Sequence, residues 1–372
     1  MPAPNSAAVP EEPMQFIHEW PASRVVFGPG RIAAVAAEVA RHGDRVVVIN
    51  DRVAGAPADR ITAELGSSAV LRVPEVVQHV PAGTVAAAVS AVRSARAEVI
   101  VCVGGGSATG LAKGIARELA LPVVAVPTTY AGSEMTSIWG LTENGLKTTG
   151  RAEIVRPRTV VYDPELTLGL PTAISLTSGI NAIAHCVEAL YAADSSPLGR
   201  LTAAEGIRSM SGALPVLLAE PRNLEARGLA LRGAWLSGWA LEVSSTGLHH
   251  KLCHVLGGLF DLPHSPLHTV LLPYVVTHLA PAAPDRTRLL LDSLGLPGST
   301  IDAGGLIWDL HRKLGVPASL ADIGLRMTDL DLAITRSVAA LAGGPFPPRP
   351  ASPGDLEHLL RTAVTGDRPV TG

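Results

Sequence analysis

The stretch EVIVCVGGGSATGLAK, Glu98 to Lys113, decides the architecture of the chain. Its first six residues are short, β-branched and apolar, the pattern of a strand buried on both faces. Three glycines and Ser107 follow, and from Ala108 onward apolar residues recur at helical spacing. A strand that turns through glycines into a helix is half of a βαβ unit. The pattern repeats outward from there. Arg45–Asn50 (RVVVIN), Ala69–Val73 and Pro122–Val126 read as further buried strands, while Arg31–Arg41, Ala58–Leu65, Thr84–Arg96 and Ala108–Leu119 read as helices. This alternation predicts a parallel, Rossmann-like sheet covered on both faces, with ligands at the carboxyl ends of its strands. A last strand, TVVYD at 159–163, runs into Pro164 and Pro171. Beyond it the β signal fades, and Thr172–Tyr191, Leu198–Leu218, Leu224–Val243, Thr246–Leu259 and Ser265–Leu279 carry long Ala/Leu helical patterns. The expected organisation is a loose tail at 1–14, an α/β dinucleotide-binding domain at 15–168 and an all-helical substrate or catalytic domain at 169–372. The proline-rich run at 343–353 reads as a loop inside the helical half.

Composition narrows the function. The chain has 372 residues, 47% hydrophobic and 17% charged, which suits a folded protein of roughly two domains. Lys and Arg number 30 against 33 Asp and Glu, a net charge of −3 with no basic excess for nucleic acid or anionic lipid. Neither nucleic acid nor membrane is expected as a partner. Three cysteines cannot build a disulfide framework, and the opening segment lacks the basic and apolar runs of a secretion signal, so the expected compartment is the cytoplasm. No GxSxG elbow and no HExxH helix supports a hydrolase.

The chemistry concentrates in two places. Gly104, Gly105, Gly106 and Ser107 end a strand and open a helix, where backbone can approach a pyrophosphate and free N–H groups can bind it. The alternative is a plain tight turn. Thr128, Thr129, Tyr130 and Ser133 form a second hydroxyl-rich turn after the next strand. Asp51, just past RVVVIN, reads either as the acceptor for an adenosine ribose or as a helix cap. The helical half holds the other concentration: of 12 histidines, seven lie between His185 and His278. Asn181 and His185 are four apart, as are His250 and His254, so each pair shares a helix face, with His264 and His268 close behind. Three imidazoles from separate turns suit a divalent ion, but no Asp or Glu stands at Asn181 to give such a site negative charge. Cys186 and Cys253 flank these histidines and read as packing residues.

These motifs resemble the iron-containing alcohol dehydrogenase superfamily and, within it, the maleylacetate reductases. The resemblance runs through RVVFG at 24–28, GGGSATGLAK at 104–113, PTTYAGSEMT at 127–136, SGINAIAHCVEALYA at 178–192 and HHKLCHVLGGLFDLPH at 249–264. It implies a dehydroquinate synthase-like fold. It puts Asn181, His185, His250 and His264 at the superfamily's metal positions, with Asn for Asp and Gly110 for a second Asp, both as in the reductase branch. What it implies is reduction of maleylacetate to 3-oxoadipate by NADH or NADPH, with NADH favoured and no metal, in the breakdown of aromatic compounds.

The roles it implies are these. Gly104 to Ser107 hold the pyrophosphate, Thr128, Thr129, Ser133 and Lys147 line the cofactor cleft, and Asp51 meets the ribose. His254 donates the proton, with Tyr130 as rival and His250 beside it. Asn181, His185, His250 and His264 contact the oxygens of a small anionic substrate. Lys251, Arg151 and Arg24 are candidate cations for its carboxylates; without the resemblance, Lys147 reads first as a surface lysine in a charged turn. A homodimer is the family expectation. His278 and the Pro347–Pro350 run depart from the family pattern. That puts the exact substrate in doubt and leaves open a member repurposed for another unsaturated or oxo acid; kept beside these are a metal-dependent alcohol dehydrogenase and a protein that binds without turnover.

Overall fold

Alternation along the strands sets the core of the N-terminal half. In the computed structural model, which describes residues 23–74, 76, 80–143, 146–341, 344 and 346–371, Val47, Ile49, Ile100, Cys102, Val123, Ala125, Val160 and Tyr162 face one apolar core. Their chain neighbours Val46, Val48, Val99, Val101, Val103, Val124, Val126 and Val161 face another. Only a sheet covered on both faces buries both sets.

The strands are β1 (Arg24–Phe27), β2 (Val46–Asn50), β3 (Ala69–Val73), β4 (Val99–Gly104), β5 (Val123–Pro127), β6 (Ile138–Glu143), β7 (Leu146–Arg151) and β8 (Thr159–Tyr162). Six of them form a parallel sheet in the order β1-β8-β5-β4-β2-β3, and β6 and β7 pair as a separate antiparallel hairpin. Between them run the helices α1 (Val35–Val39), α2 (Gly55–Leu65), α3 (Ala82–Ser94) and α4 (Gly106–Leu119). The strands read from the sequence form within a residue or so of their expected ends. The predicted helix Arg31–Arg41 begins instead as a 3-10 turn at Arg31–Ala34 before α1. β1 and the β6/β7 hairpin were not legible as strands, because they are short, and β1 and β6 are only partly buried.

The order fixes where a ligand sits. β2 leads outward to β3, whereas β4, its neighbour on the other side, leads away to β5. The connections part between β2 and β4, and open α/β sheets bind ligands at that switch point. Asp51 follows one of these strands, and Gly104 ends the other.

After β8 the chain is helical: α5 (Thr172–Tyr191), α6 (Pro197–Ala219), α7 (Leu224–Glu242), α8 (Leu248–Phe260), α9 (His264–Leu279), α10 (Pro284–Leu294), α11 (Ala303–Leu314), α12 (Leu330–Leu341) and α13 (Pro353–Thr365). Side chains from α5 through α13 join the same core as one face of the sheet, so the two halves share their packing. α5 is long and apolar enough to cross a membrane, yet 89% of that window is buried, and it is the central helix of this core. The tail at 1–14 lies outside the described residues.

Candidate active site

The glycine turn is shaped by what stands behind it. Gly104 has φ +145, and a Cβ there would run into Asp51 Oδ2 and lie 3.0 Å from the Ala108 side chain. Gly105 N–H donates to Asp51 Oδ2 at 2.7 Å, and Ala54 N–H donates to Asp51 Oδ1 at 2.9 Å. Asp51 therefore ties the β2 and β4 turns together across the switch point while capping the approach to α2. A Cβ on Gly105 would meet Thr129 Cγ2 at 3.0 Å, and one on Gly106 would meet Ala131 at 3.5 Å, so the two polar turns pack against each other as expected. α4 starts at Gly106 with no side-chain cap. Its first amides are unclaimed by the helix, and the crevice fits a pyrophosphate.

Lys113 sets the second turn. It is buried on α4, and its Nζ donates to Ser133 O at 2.6 Å, to Thr136 Oγ1 at 3.0 Å and to Ile138 O at 2.7 Å. Burial pulls its pKa down to about 7. Ser133 Oγ is buried without a partner. Lys113 stood in the quoted motif but was not singled out, because a lysine at helical spacing reads as surface.

The same turn abuts the helical half. Tyr130 N–H donates to Ser178 Oγ at 3.1 Å, three residues before Asn181 on α5. Tyr130 itself is not a rival proton donor. It is fully buried, and its hydroxyl accepts from Arg227 Nη1 at 2.9 Å, while the same guanidinium donates to Ser175 Oγ and Leu170 O. Burial pushes its pKa up.

The histidines converge from three helices. α5 brings His185, α8 brings His249, His250 and His254, and α9 brings His264 and His268. The His185 and His250 rings stack at 5.0 Å, and His254 stands edge-on to His250 at 6.2 Å. His268 lies 4.8 Å from His250, 4.4 Å from His264 and 6.3 Å from His185. Burial drives His185, His249 and His268 well below the ordinary imidazole range, His249 to about 3, so all three are neutral. Asn181 Oδ1 and His185 Nδ1 are buried without a partner.

A carboxylate does reach this cluster, from a place the sequence reading passed over. Glu188, one helical turn past His185, takes a hydrogen bond from His250 N–H at 3.1 Å, and its Oε2 pairs closely with His250 Nδ1. Burial alone would raise this carboxyl, but the His250 charge and hydrogen bond, with His249 and the Gly247 amide, hold it at about 2. Asn181, His185 and Glu188 stand at i, i+4 and i+7, a spacing that marks one helix face. Glu188 fixes His250 with Nε2 turned away from the carboxylate. Cys186 is buried as packing, whereas Cys253 packs on the cluster itself, its Sγ 3.8 Å from His249 Nε2.

The candidate cations sort themselves. Arg151 spends its guanidinium on Glu242, Leu241 O and Ser244 O, and Arg24 pairs with Glu38. Arg151 is thereby committed and Arg24 is engaged through Nε, whereas exposed Lys251 adjoins His250 in the chain. The Lys147 side chain lies outside what the structure describes; its backbone pairs with Thr142 in the hairpin.

The metal positions of the superfamily are filled here by Asn181, His185, His250 and His264. Three imidazoles and the Asn181 amide carry no negative charge, and Glu188 is committed to His250. Such a set offers a metal ion imidazoles but no carboxylate of its own.

Residues 22–164 match the family model for iron-containing alcohol dehydrogenase, and residues 175–364 match that for the Fe-containing alcohol dehydrogenase family, C-terminal. A maleylacetate reductase of Sphingobium indicum is 44% identical over 359 residues, 96% of this chain and 100% of that protein. The crystal structure of maleylacetate reductase from Rhizobium sp. strain MTP-10005 superposes with a TM-score of 0.88 at 42% identity, covering 96% of this chain and 100% of that one. A 1,3-propanediol oxidoreductase structure superposes at 0.84 with 26% identity, covering 94% and 100%.

Proposed function

The chain belongs to the iron-containing alcohol dehydrogenase family, on its maleylacetate reductase branch, and from that premise we propose that this oxidoreductase reduces maleylacetate to 3-oxoadipate with NADH and without a metal ion, as a cytoplasmic homodimer. One observation carries the reading: Asn181 stands where the superfamily has a metal-binding Asp, and the carboxylate that does reach the cluster, Glu188, is already paired with His250.

The chemistry follows from that set. Reducing an isolated ketone needs an electrophile on its oxygen, for which a metal serves well. Reducing a carbon–carbon double bond conjugated to a ketone needs hydrogen-bond donors for an enolate oxygen and a proton source for the α-carbon. NADH, when bound in the crevice, supplies the hydride, which goes to the carbon β to the ketone. The electron pair of the double bond shifts onto the ketone oxygen. Asn181, His185, His250 and His264 hold the substrate's oxygens, and the neutral His185 ring can donate without an imidazolium having to be buried. His254, half-buried at the edge of the cluster, gives its proton to the α-carbon and regains one from water. Lys251 offers a positive charge to a substrate carboxylate. Asp51, beside the glycine turn, disfavours the extra phosphate of NADPH.

The test is reduction of maleylacetate with NADH and with NADPH before and after exhaustive chelation. Turnover with NADH that survives chelation is the expected result. Activity that appears only on adding Fe²⁺ or Zn²⁺ would overturn the metal-free reading, and activity confined to simple alcohols or ketones would overturn the substrate.

A further inference from the structure

A second imidazole pair stands behind the four substrate contacts, unused by the reaction above. His249 Nε2 and His268 Nδ1 lie 3.0 Å apart, and both residues are fully buried. Their other nitrogens, His249 Nδ1 and His268 Nε2, are buried without a partner. Only one proton fits between two nitrogens at this distance, so the pair exists in two arrangements. If His249 donates from Nε2, the accepting Nδ1 of His268 is bare and His268 must carry its proton on Nε2. If His268 donates instead, His249 carries an orphaned N–H on Nδ1, and a neutral His268 offers a lone pair from Nε2.

We propose that His249 holds His268 in the first arrangement, and that the His268 Nε2–H is a further donor to an anionic oxygen of the bound substrate. The inference deepens the reading of the site as one for an oxo diacid and rests on it. His268 touches His250 and His264, at 4.8 and 4.4 Å between ring centres, and lies 6.3 Å from His185, which puts its ring among the groups assigned to the substrate. The substrate presents acceptors only, its carboxylates and ketone oxygen, so a lone pair on Nε2 would repel it while an N–H completes it. His249 is then a positioning residue that acts through its neighbour, and His268 is the contact.

Histidine-¹⁵N-labelled enzyme with bound 3-oxoadipate tests this, the His268 Nε2 resonance being assigned by its loss in His268→Phe. The expected signal is that of a protonated ring nitrogen. His249→Gln keeps an N–H donor facing His268 Nδ1 and should retain that signal. His249→Leu removes the donor and should shift it toward a bare nitrogen. In kinetics with maleylacetate, His249→Leu should lose about 10-fold in kcat/KM with NADH Kd unchanged, and His249→Gln should stay within about threefold of wild type. A bare Nε2 in the wild type, or equal losses in both variants, overturns the proposal. So does a stoichiometric soft metal that His249→Leu abolishes, because His249, Cys253 and His268 also present donor atoms within 4.8 Å of one another. Should the wild type fail to reduce maleylacetate at all, the substrate assignment falls, while the ¹⁵N signal of the NADH complex still decides the tautomer.

Discussion

The crevice at the end of the sheet and the histidine cluster between the helices are built on opposite principles. The crevice is made of backbone: glycines, uncapped amides and one aspartate that ties two turns together. The cluster is made of side chains from three helices, and its properties come from burial and from which nitrogen holds which proton. Backbone sites tolerate changes of pH and fail when bulk is added. Side-chain sites tolerate bulk nearby and fail when protonation changes.

Acid should break the cluster first, and this is the largest effect expected. His185, His249 and His268, with His311 buried on α11, have their pKa values lowered by burial, His249 and His311 to about 3 against an ordinary 6.5. The unfolded chain binds these protons and the folded chain does not, so stability falls as pH drops from 6.5 toward 3. At roughly 1.4 kcal/mol per proton and pH unit, four sites give up to about 5 kcal/mol per unit. Glu188 adds a second loss: its contribution is complete above 4.5 and disappears as pH falls through about 2. Denaturant unfolding at pH 7, 6 and 5 measures the first slope, and a flat profile would mean that these rings are not neutral and buried.

The next effect is catalytic. His254→Ala removes the proposed proton donor and should lower turnover with maleylacetate by roughly 10²-fold, with NADH affinity unchanged. A rate near wild type would move the proton to His250 or to water, since Tyr130 is held by Arg227. Gly105→Val attacks the other region. The added side chain meets Thr129 at the point where the two turns touch, so NADH Kd should rise about 10-fold while turnover at saturating NADH stays within about threefold. Unchanged Kd, read by fluorescence titration, would place the pyrophosphate elsewhere.

The same contrast explains what the sequence made legible. Glycines, β-branched runs and their order mark backbone structure directly, so the sheet, its turns and the crevice could be read from residues such as Gly104 and Val99–Val103. The histidines could be counted and placed on helix faces. Their partners could not: Glu188 reads as an ordinary helix residue until α8 packs against α5, and Tyr130 reads as a cleft hydroxyl until Arg227 reaches it from α7. Arg151 likewise reads as a free cation until the carbonyls at the end of α7 close on it. Long-range pairing of this kind has no local periodicity to announce it.

Asp51 tests the boundary between the two principles, with the smallest effect. Its carboxylate already accepts from Gly105 N–H and Ala54 N–H, one on each oxygen, and each oxygen retains a lone pair for a ribose hydroxyl. Asp51→Asn keeps the size of the side chain, removes its charge and replaces one acceptor with a donor. If Asp51 only caps and ties the turns, one of the two amides loses its partner and both cofactors weaken alike, by about fivefold. If it also meets the ribose, the lost charge relieves repulsion of a 2′-phosphate, so NADPH Kd should fall a few-fold while NADH Kd rises. The ratio of the two constants separates the roles, because the damage to the turns is common to both cofactors and cancels. An unchanged ratio would reduce Asp51 to a fastener of the backbone site. A changed ratio would make it the one charged group through which that site discriminates between ligands.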